Sequence, residues 1–145
     1  MNKDQNNNNI LGAIERRITI KAPIANVWDA LTQAEQVAKW FGQTAQFEAK
    51  IGALGWFGWQ DHGQFAMRIE TTEPNTLFAW RWMADKDVPF SVDNSTLVEW
   101  QLRSIDKKTT SVILQESGFK TPSSRSDNAS GWTEELADFE DHFKP

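Results

Sequence analysis

The sequence predicts an α+β domain in which a long C-terminal helix covers one face of an antiparallel sheet. Residues 14–22 alternate between apolar and polar side chains, as expected of a half-buried strand. Segments with the same two-residue period follow from Phe47 onward. Near the C-terminus, four apolar residues recur at helical spacing, namely Trp132, Leu136, Phe139 and Phe143. Because a sheet with one apolar face needs a cover, we assign that role to this helix.

The first strand is followed by a short helix. Pro23 ends the strand and suits the first position of a helix, where its missing N–H costs nothing. The apolar residues that follow lie at the spacing of one helical face: Ile24, Val27, Trp28 and Leu31.

A second short helix is predicted directly afterwards. Residues 32–35 read TQAE and match a capping box, which predicts a helix that starts at Thr32. Gly42 suits its C-terminal stop. The apolar face of this helix carries three residues, Val37, Trp40 and Phe41.

About six strands are predicted to follow, separated by turns and loops. Two short strands are expected within residues 47–63, and tight turns at 61–63 and 106–108. Residues 85–94 and 120–130 read as loops. The four longer strands place their apolar residues in single phases: Phe65, Met67 and Ile69; Phe78, Trp80 and Trp82; Val98, Trp100 and Leu102; Val112 and Leu114. On the C-terminal helix, the side opposite the apolar stripe is acidic, with Glu134, Glu135, Asp138, Glu140 and Asp141.

Length and composition bound the class of protein. The 145 residues suit one domain, which we place at residues 10–145 after a flexible Asn-rich tail at residues 1–9. The absence of cysteine excludes a disulfide scaffold, a cysteine nucleophile and thiolate metal sites. A net charge of −5 without a basic cluster argues against nucleic-acid binding. We find neither a membrane-spanning apolar run nor a signal peptide, so we expect a cytoplasmic protein.

The aromatic residues exceed what a small core normally holds. The chain has eight Trp and nine Phe but no Tyr. Because a domain of this size cannot easily bury so many large rings, we expect some of them to line a cavity or a surface.

Several strings occur in an order typical of one known family. The stretch ITIKAPIANVWDALTQAEQVAKWFG contains the pairs Ala22-Pro23, Val27-Trp28 and Trp40-Phe41, and Thr32 lies between the last two. Gly52 and the strings FAWRW, STLVEWQL, ESGF and GWTEEL follow in order. Together these strings resemble the START-like helix-grip (SRPBCC) superfamily, in particular the bacterial branch similar to the Aha-type activator of heat-shock protein 90 ATPase. The resemblance covers residues 14–143.

The resemblance implies a curved antiparallel sheet of about seven strands around the long C-terminal helix, with the two short helices closing one end. It also implies a cavity between helix and sheet, with Trp40 and Phe41 at its mouth. The candidate ligand-binding residues are Trp28, Trp40, Phe41, Phe65, Met67, Trp80, Trp100, Leu114, Glu116, Trp132 and Leu136.

Glu116 is the most specific polar candidate for ligand binding, because it continues the apolar phase of Val112 and Leu114 on the same strand. A buried carboxylate needs partners. It either gives the cavity a polar handle for a ligand, or reaches solvent at the strand end or pairs with Arg81 or Arg103. Arg81 either anchors an anionic ligand or faces Glu99 on the neighbouring strand.

Two histidines and one glycine are further candidates. His62 and His142 have no metal-type spacing, and we expect both to be solvated and no metal to bind. Gly131 either lets the C-terminal helix approach the sheet, or leaves space for a ligand, or marks the turn before this helix.

The sequence favours a non-catalytic protein that binds a small apolar, aromatic or lipid-like molecule without a cofactor. One alternative is an accessory protein that binds a chaperone ATPase, as the family resemblance implies. The other is a cyclase-like enzyme that uses Glu116, although a single acid–base group is little for catalysis. A secreted carbohydrate binder is disfavoured because we find no signal peptide.

Overall fold

A computed structural model describes residues 11–145, so the predicted tail at residues 1–9 lies outside the described residues. These residues form seven strands, three α-helices and one 3-10 turn at Val92–Asn94. The strands are β1 (Ile14–Ile20), β2 (Thr44–Gln46), β3 (Leu54–Trp59), β4 (Gly63–Glu73), β5 (Leu77–Met83), β6 (Ser95–Asp106) and β7 (Thr109–Ser117). The helices are α1 (Ile24–Thr32), α2 (Ala34–Trp40) and α3 (Pro122–His142).

The strands form one antiparallel sheet in the order β1-β7-β6-β5-β4-β3-β2. The register shifts between Ile69 and Thr71 on β4, an irregularity that bends the strand and increases its twist. Helix α3 covers the inner face of this curved sheet, and α1 and α2 follow β1. The predicted helix-grip architecture is therefore confirmed.

The apolar phases predicted for the sheet face inward. Val98 and Trp100 on β6 and Val112 on β7 have no exposed surface, and Trp132 and Phe139 on α3 are buried against them. At 25 cal/mol per Å² of apolar surface, burying a large side chain contributes roughly 2–3 kcal/mol. This repeated burial holds α3 on the sheet.

The rings at the end of α2 also face inward. Trp40 and Phe41 are only 2% and 1% exposed, and the Trp40 indole N–H donates to the Ala30 carbonyl at 2.9 Å. Gly42 follows at φ +67°, where a Cβ would lie 2.7 Å from the Gly58 carbonyl oxygen. Only glycine allows the helix to stop here and the chain to turn into β2.

The predicted capping box is wrong. Thr32 is the last residue of α1, and its hydroxyl donates to the Trp28 carbonyl at 2.8 Å. Helix α2 begins at Ala34 behind Gln33, which has an extended backbone and no side-chain capping bond. The hydroxyl that the motif needs is therefore used by the preceding helix.

Two predicted boundaries also differ. The first of the two short strands is β2, which precedes Phe47 and pairs only three residues with β3. Helix α3 includes residues 122–130, which were predicted to be a loop. Thr121 caps it by accepting from the Ser124 N–H at 3.0 Å, and Pro122 occupies the first turn. The Arg125 guanidinium donates to the Gly12 carbonyl at 2.6 Å, so polar contacts rather than an apolar stripe hold this first part of the helix.

Candidate functional site

A pocket of about 340 Å³ lies at the end of the sheet where the β3–β4 turn meets α3. Four segments build its walls: the end of α2, the β3–β4 hairpin, the end of β5 and the first half of α3. The residues that line it are Phe41, Trp59, His62, Phe65, Trp82, Met83, Ala84, Asp127, Asn128, Gly131, Trp132 and Glu135. Its volume lies within the range of small-molecule sites.

Aromatic rings form most of the wall. Phe41 stacks on Trp132 with ring centres 5.4 Å apart, and Trp82 lies 6.1 Å from Trp132. Trp59 packs edge-to-face on Phe65 at 5.5 Å. Such pairs add roughly 0.5–1.5 kcal/mol beyond area burial, so the wall is preformed.

Gly131 opens the helix side of the pocket. Apart from its chain neighbours and the backbone of its own helix, a Cβ at this position would meet no heavy atom within 4 Å. Glycine in a helix interior costs about 1 kcal/mol relative to alanine. The absence of a side chain at this position on α3 leaves room beside Trp132.

Glu116 lies behind the aromatic wall and is fully buried. Its Oε1 accepts from the Trp132 indole N–H at 2.7 Å, and its Oε2 accepts from the Trp82 indole N–H at 2.8 Å. The Thr96 hydroxyl donates to Oε2 at 2.6 Å, and the Asn128 amide donates to both oxygens at 3.0 and 3.1 Å. Four neutral donors thus satisfy the carboxyl group without a basic residue.

This network positions the wall. Three of its four donors, Trp82, Asn128 and Trp132, also line the pocket. They come from β5 and α3, so Glu116 on β7 holds two elements at a fixed separation. Its oxygens are occupied by protein donors, and Glu116 itself does not line the pocket.

Among residues 11–145, neither solvent exposure nor an arginine partner is found for Glu116, and Arg81 pairs with a different cross-strand acid from the one expected. The Nε of Arg81 contacts the Glu70 carboxylate on β4 at 3.0 Å instead of Glu99, whose register partner on β5 is Ala79. Arg103 is exposed on β6.

Glu135 is the titratable group with the most altered environment at the pocket. Burial raises its pKa from 4.5 to about 7, and the nearby carboxylates of Asp138 and Glu134 act in the same direction. The Trp59 side chain and the Gly42 backbone donate towards the carboxyl group and lower the pKa by less than burial raises it. A carboxyl group that titrates near neutrality at a pocket edge is typical of binding and catalytic sites.

Within residues 11–145, no group of three His, Asp or Glu side chains is close enough to hold a metal ion. None of the helices in this range is long and apolar enough to cross a membrane.

The family model for "Activator of Hsp90 ATPase homolog 1-like protein" matches residues 21–144. The chain belongs to this family.

Solved structures share the fold of this Aha1-like chain at low identity. The protein MLL2253 from Mesorhizobium loti has a TM-score of 0.78 and 18% identity, over 90% of this chain and 96% of that one. The Aha1 dimer from Colwellia psychrerythraea has a TM-score of 0.76 and 21% identity, over 91% and 96%. PFC0360w, an HSP90 activator from Plasmodium falciparum, has a TM-score of 0.71 and 14% identity, over 88% and 93%. No curated protein matches the sequence.

In this Aha1-like chain the apolar residues predicted to bind a ligand fall into three groups. Phe41, Phe65 and Trp132 line the pocket. Trp28 is half-buried on α1 and packs edge-to-face on Phe78 at 5.9 Å. The remaining apolar candidates lie in the closed core: Trp40, Met67, Trp80, Trp100, Leu114 and Leu136.

Sequence reasoning missed Trp59, Trp82 and Glu135 as pocket residues. Trp82 shares the phase of Trp80, so the sequence predicted that its side chain points inward. The sequence did not predict that Trp82 lies at the end of the sheet where the pocket opens. Glu135 was assigned to the acidic solvent face of the helix. Its position three residues after Trp132 places it beside the apolar stripe, and that spacing was the available signal.

Proposed function

We propose that the chain binds a small apolar or aromatic molecule in this pocket, without catalysing a reaction. The observation that supports the proposal is a preformed opening of about 340 Å³ walled by five aromatic side chains: Phe41, Trp59, Phe65, Trp82 and Trp132. Burying 200 Å² of apolar ligand surface is worth about 5 kcal/mol before the costs of association. Such a site favours micromolar or weaker binding of a compact ligand.

Gly131 provides the test. A leucine at this position projects into the pocket, whereas a leucine at the adjacent Ser130 projects from the exposed side of α3. We expect the neutral dye N-phenyl-1-naphthylamine to bind the wild-type chain saturably. Gly131→Leu is expected to weaken binding about tenfold or more, and Ser130→Leu by less than about twofold.

Dye fluorescence and quenching of tryptophan emission measure the binding. Circular dichroism and thermal unfolding check that both variants fold. Equal affinity in Gly131→Leu and Ser130→Leu places any binding outside the pocket and contradicts the proposal. Lack of saturable binding by the wild-type chain also contradicts it.

A second candidate function is activation of a chaperone ATPase. Its support is the family match and the structural similarity to a protein named as an HSP90 activator. The exposed acidic side of α3 offers a charged surface for a partner, with Glu134, Asp138 and Asp141. Opposite charges would steer a basic surface towards it.

The ATP hydrolysis rate of an HSP90 chaperone, measured with and without the chain, tests this candidate. A rate increase that is lost in Glu134→Lys/Asp138→Lys but kept in Gly131→Leu supports docking through α3. An unchanged ATPase rate at saturating concentrations of the chain contradicts it.

A further inference from the structure

The fixed charges that line the pocket are negative. Two carboxyl groups line it, those of Asp127 and Glu135, while no Lys or Arg does so among residues 11–145. His62 is the sole lining side chain in this range that can become positive, and it lies exposed in the β3–β4 turn. Anionic ligands therefore meet no fixed positive charge here, whereas a cation meets complementary groups.

The tryptophan side chains reinforce this preference. The indole N–H groups of Trp82 and Trp132 both donate to Glu116, at 2.8 and 2.7 Å, and are therefore directed behind the wall. The carbon rings of these side chains consequently face the pocket, and their N–H donors do not. The face of an indole ring carries negative potential and is the best aromatic surface for a cation.

We infer that the ligand is an organic cation in which a tertiary or quaternary ammonium head is attached to an apolar group. The head lies against the indole ring of Trp82 beside Glu135, and the apolar group contacts Trp59 and Phe65. These three rings are partly exposed, whereas Phe41 and Trp132 are buried. This inference rests on the proposed function, because it names the ligand class of the same pocket. It goes further by requiring a positive charge on the ligand.

The state of Glu135 makes binding depend on pH. Its raised pKa leaves it largely neutral in slightly acidic solution and charged in slightly alkaline solution. A permanently charged ligand therefore binds more tightly as pH rises from 6 to 8. The other titratable residues that line the pocket are Asp127 on α3 and His62 in the β3–β4 turn. Glu134 and Asp138 on α3 act on the pKa of Glu135 from nearby. The remaining lining residues have no titratable side chain.

Two probes of equal shape separate charge from shape. The first is 4-tert-butylbenzyl alcohol, and the second carries trimethylammonium in place of its tert-butyl group. Isothermal titration calorimetry at pH 8 is expected to give a dissociation constant about tenfold lower for the ammonium probe. Neither probe titrates between pH 6 and 8, so any pH dependence belongs to the protein.

Glu135→Gln and Glu134→Gln form a matched pair, since the second removes an exposed carboxylate one residue away. Glu135→Gln is expected to weaken binding of the ammonium probe about three- to tenfold and to change binding of the neutral probe by less than about twofold. It is also expected to abolish the rise in affinity for the ammonium probe between pH 6 and 8. Glu134→Gln is expected to keep the wild-type affinity for the ammonium probe and its rise between pH 6 and 8. Repeating the pH series in His62→Gln separates the contribution of the imidazole.

The outcomes distinguish the two proposals. Equal or tighter binding of the neutral probe overturns the cation inference and leaves the proposed function standing. Unchanged binding of the ammonium probe in Glu135→Gln also overturns it. If neither probe binds while the dye does, the inference fails alone; if the dye does not bind either, the proposed function fails with it.

Discussion

Glu116 shows how a carboxyl group is accommodated in an apolar core without a basic partner. Each of its oxygens accepts an indole N–H, from Trp132 and Trp82 respectively. A glutamine in its place presents one acceptor oxygen and one NH₂ donor. Because the indole nitrogen can only donate, the new NH₂ faces an N–H group, and one indole remains unsatisfied.

Glu116→Gln is therefore expected to lower the free energy of unfolding by about 2–4 kcal/mol. Urea denaturation followed by tryptophan fluorescence measures the change, with Glu140→Gln on the exposed side of α3 as the control. Loosening of Trp82 and Trp132 is expected to weaken ligand binding at the same time. A loss in Glu116→Gln no larger than that in the control contradicts this account of the network.

Glu135 gives the folding stability a pH dependence of known sign. Since burial raises its pKa from 4.5 to about 7, the folded chain holds this proton more tightly than the unfolded chain. The contribution to stability is complete below pH 4.5 and is lost as pH rises towards 7.

We expect the difference in unfolding free energy between wild type and Glu135→Gln to shift by about 1–2 kcal/mol between pH 4.5 and 8, with the wild type losing more stability. This value is smaller than the full pKa shift implies, because solvent screens a half-exposed group. Thermal unfolding across this pH range measures it. Parallel pH profiles for the two proteins would falsify the assignment.

At the scale of elements, α3 is stabilised differently along its length. Its first half is fixed by polar contacts, among them that of Asn128 with Glu116. Its second half is fixed by apolar packing, in which Phe139 lies 4.4 Å from Trp40 and 5.6 Å from Trp100. The helix therefore joins the sheet to α2 through Phe139.

Phe139→Ala is expected to lower the free energy of unfolding by about 3–5 kcal/mol, because it removes a fully buried ring and leaves a cavity. Asp138→Ala, at the adjacent exposed position, is expected to change it by less than about 0.5 kcal/mol. Guanidinium denaturation compares the two. Removing residues 130–145 uncovers the sheet and is expected to cause aggregation, so a soluble truncated chain with a cooperative transition would contradict the role assigned to α3.

Across the whole molecule, aromatic rings fill the centre between helix and sheet. Trp40 contacts Trp100 at 5.7 Å, and Trp80 lies 6.0 Å from Trp100. The space in which a cavity was expected is therefore occupied, and the pocket lies at the end of the sheet. The sheet itself is uneven, since β2 pairs three residues with β3 whereas β6 is hydrogen-bonded on both sides.

Hydrogen exchange is expected to follow this unevenness. Backbone amides of β2 should exchange fastest among the strands, because a short edge strand opens locally at little cost. Amides of residues 98–102, in the middle of the buried strand β6, should exchange most slowly. Exchange in β2 as slow as in β6 would show that the sheet opens only as a unit.

The sequence by itself determined the order of elements and the faces they bury. Alternation on β4 to β7 and helical spacing at Trp132, Leu136 and Phe139 are local patterns, and burial of apolar surface follows them wherever the chain folds. The inward direction of Trp40 and Phe41 was predicted from the family resemblance, which implies a place for them at the mouth of a cavity.

Only the tertiary structure decided the partners of Glu116 and the environment of Glu135. The donors to Glu116 come from β5, β6 and α3, and Trp82 is 34 residues away in the chain. Hydrogen bonds between distant elements leave no periodic pattern in the sequence, and the polar start of α3 depends on such bonds. The pocket likewise exists because four segments meet at one end of a filled core, and the charge state of Glu135 depends on how much water that meeting excludes.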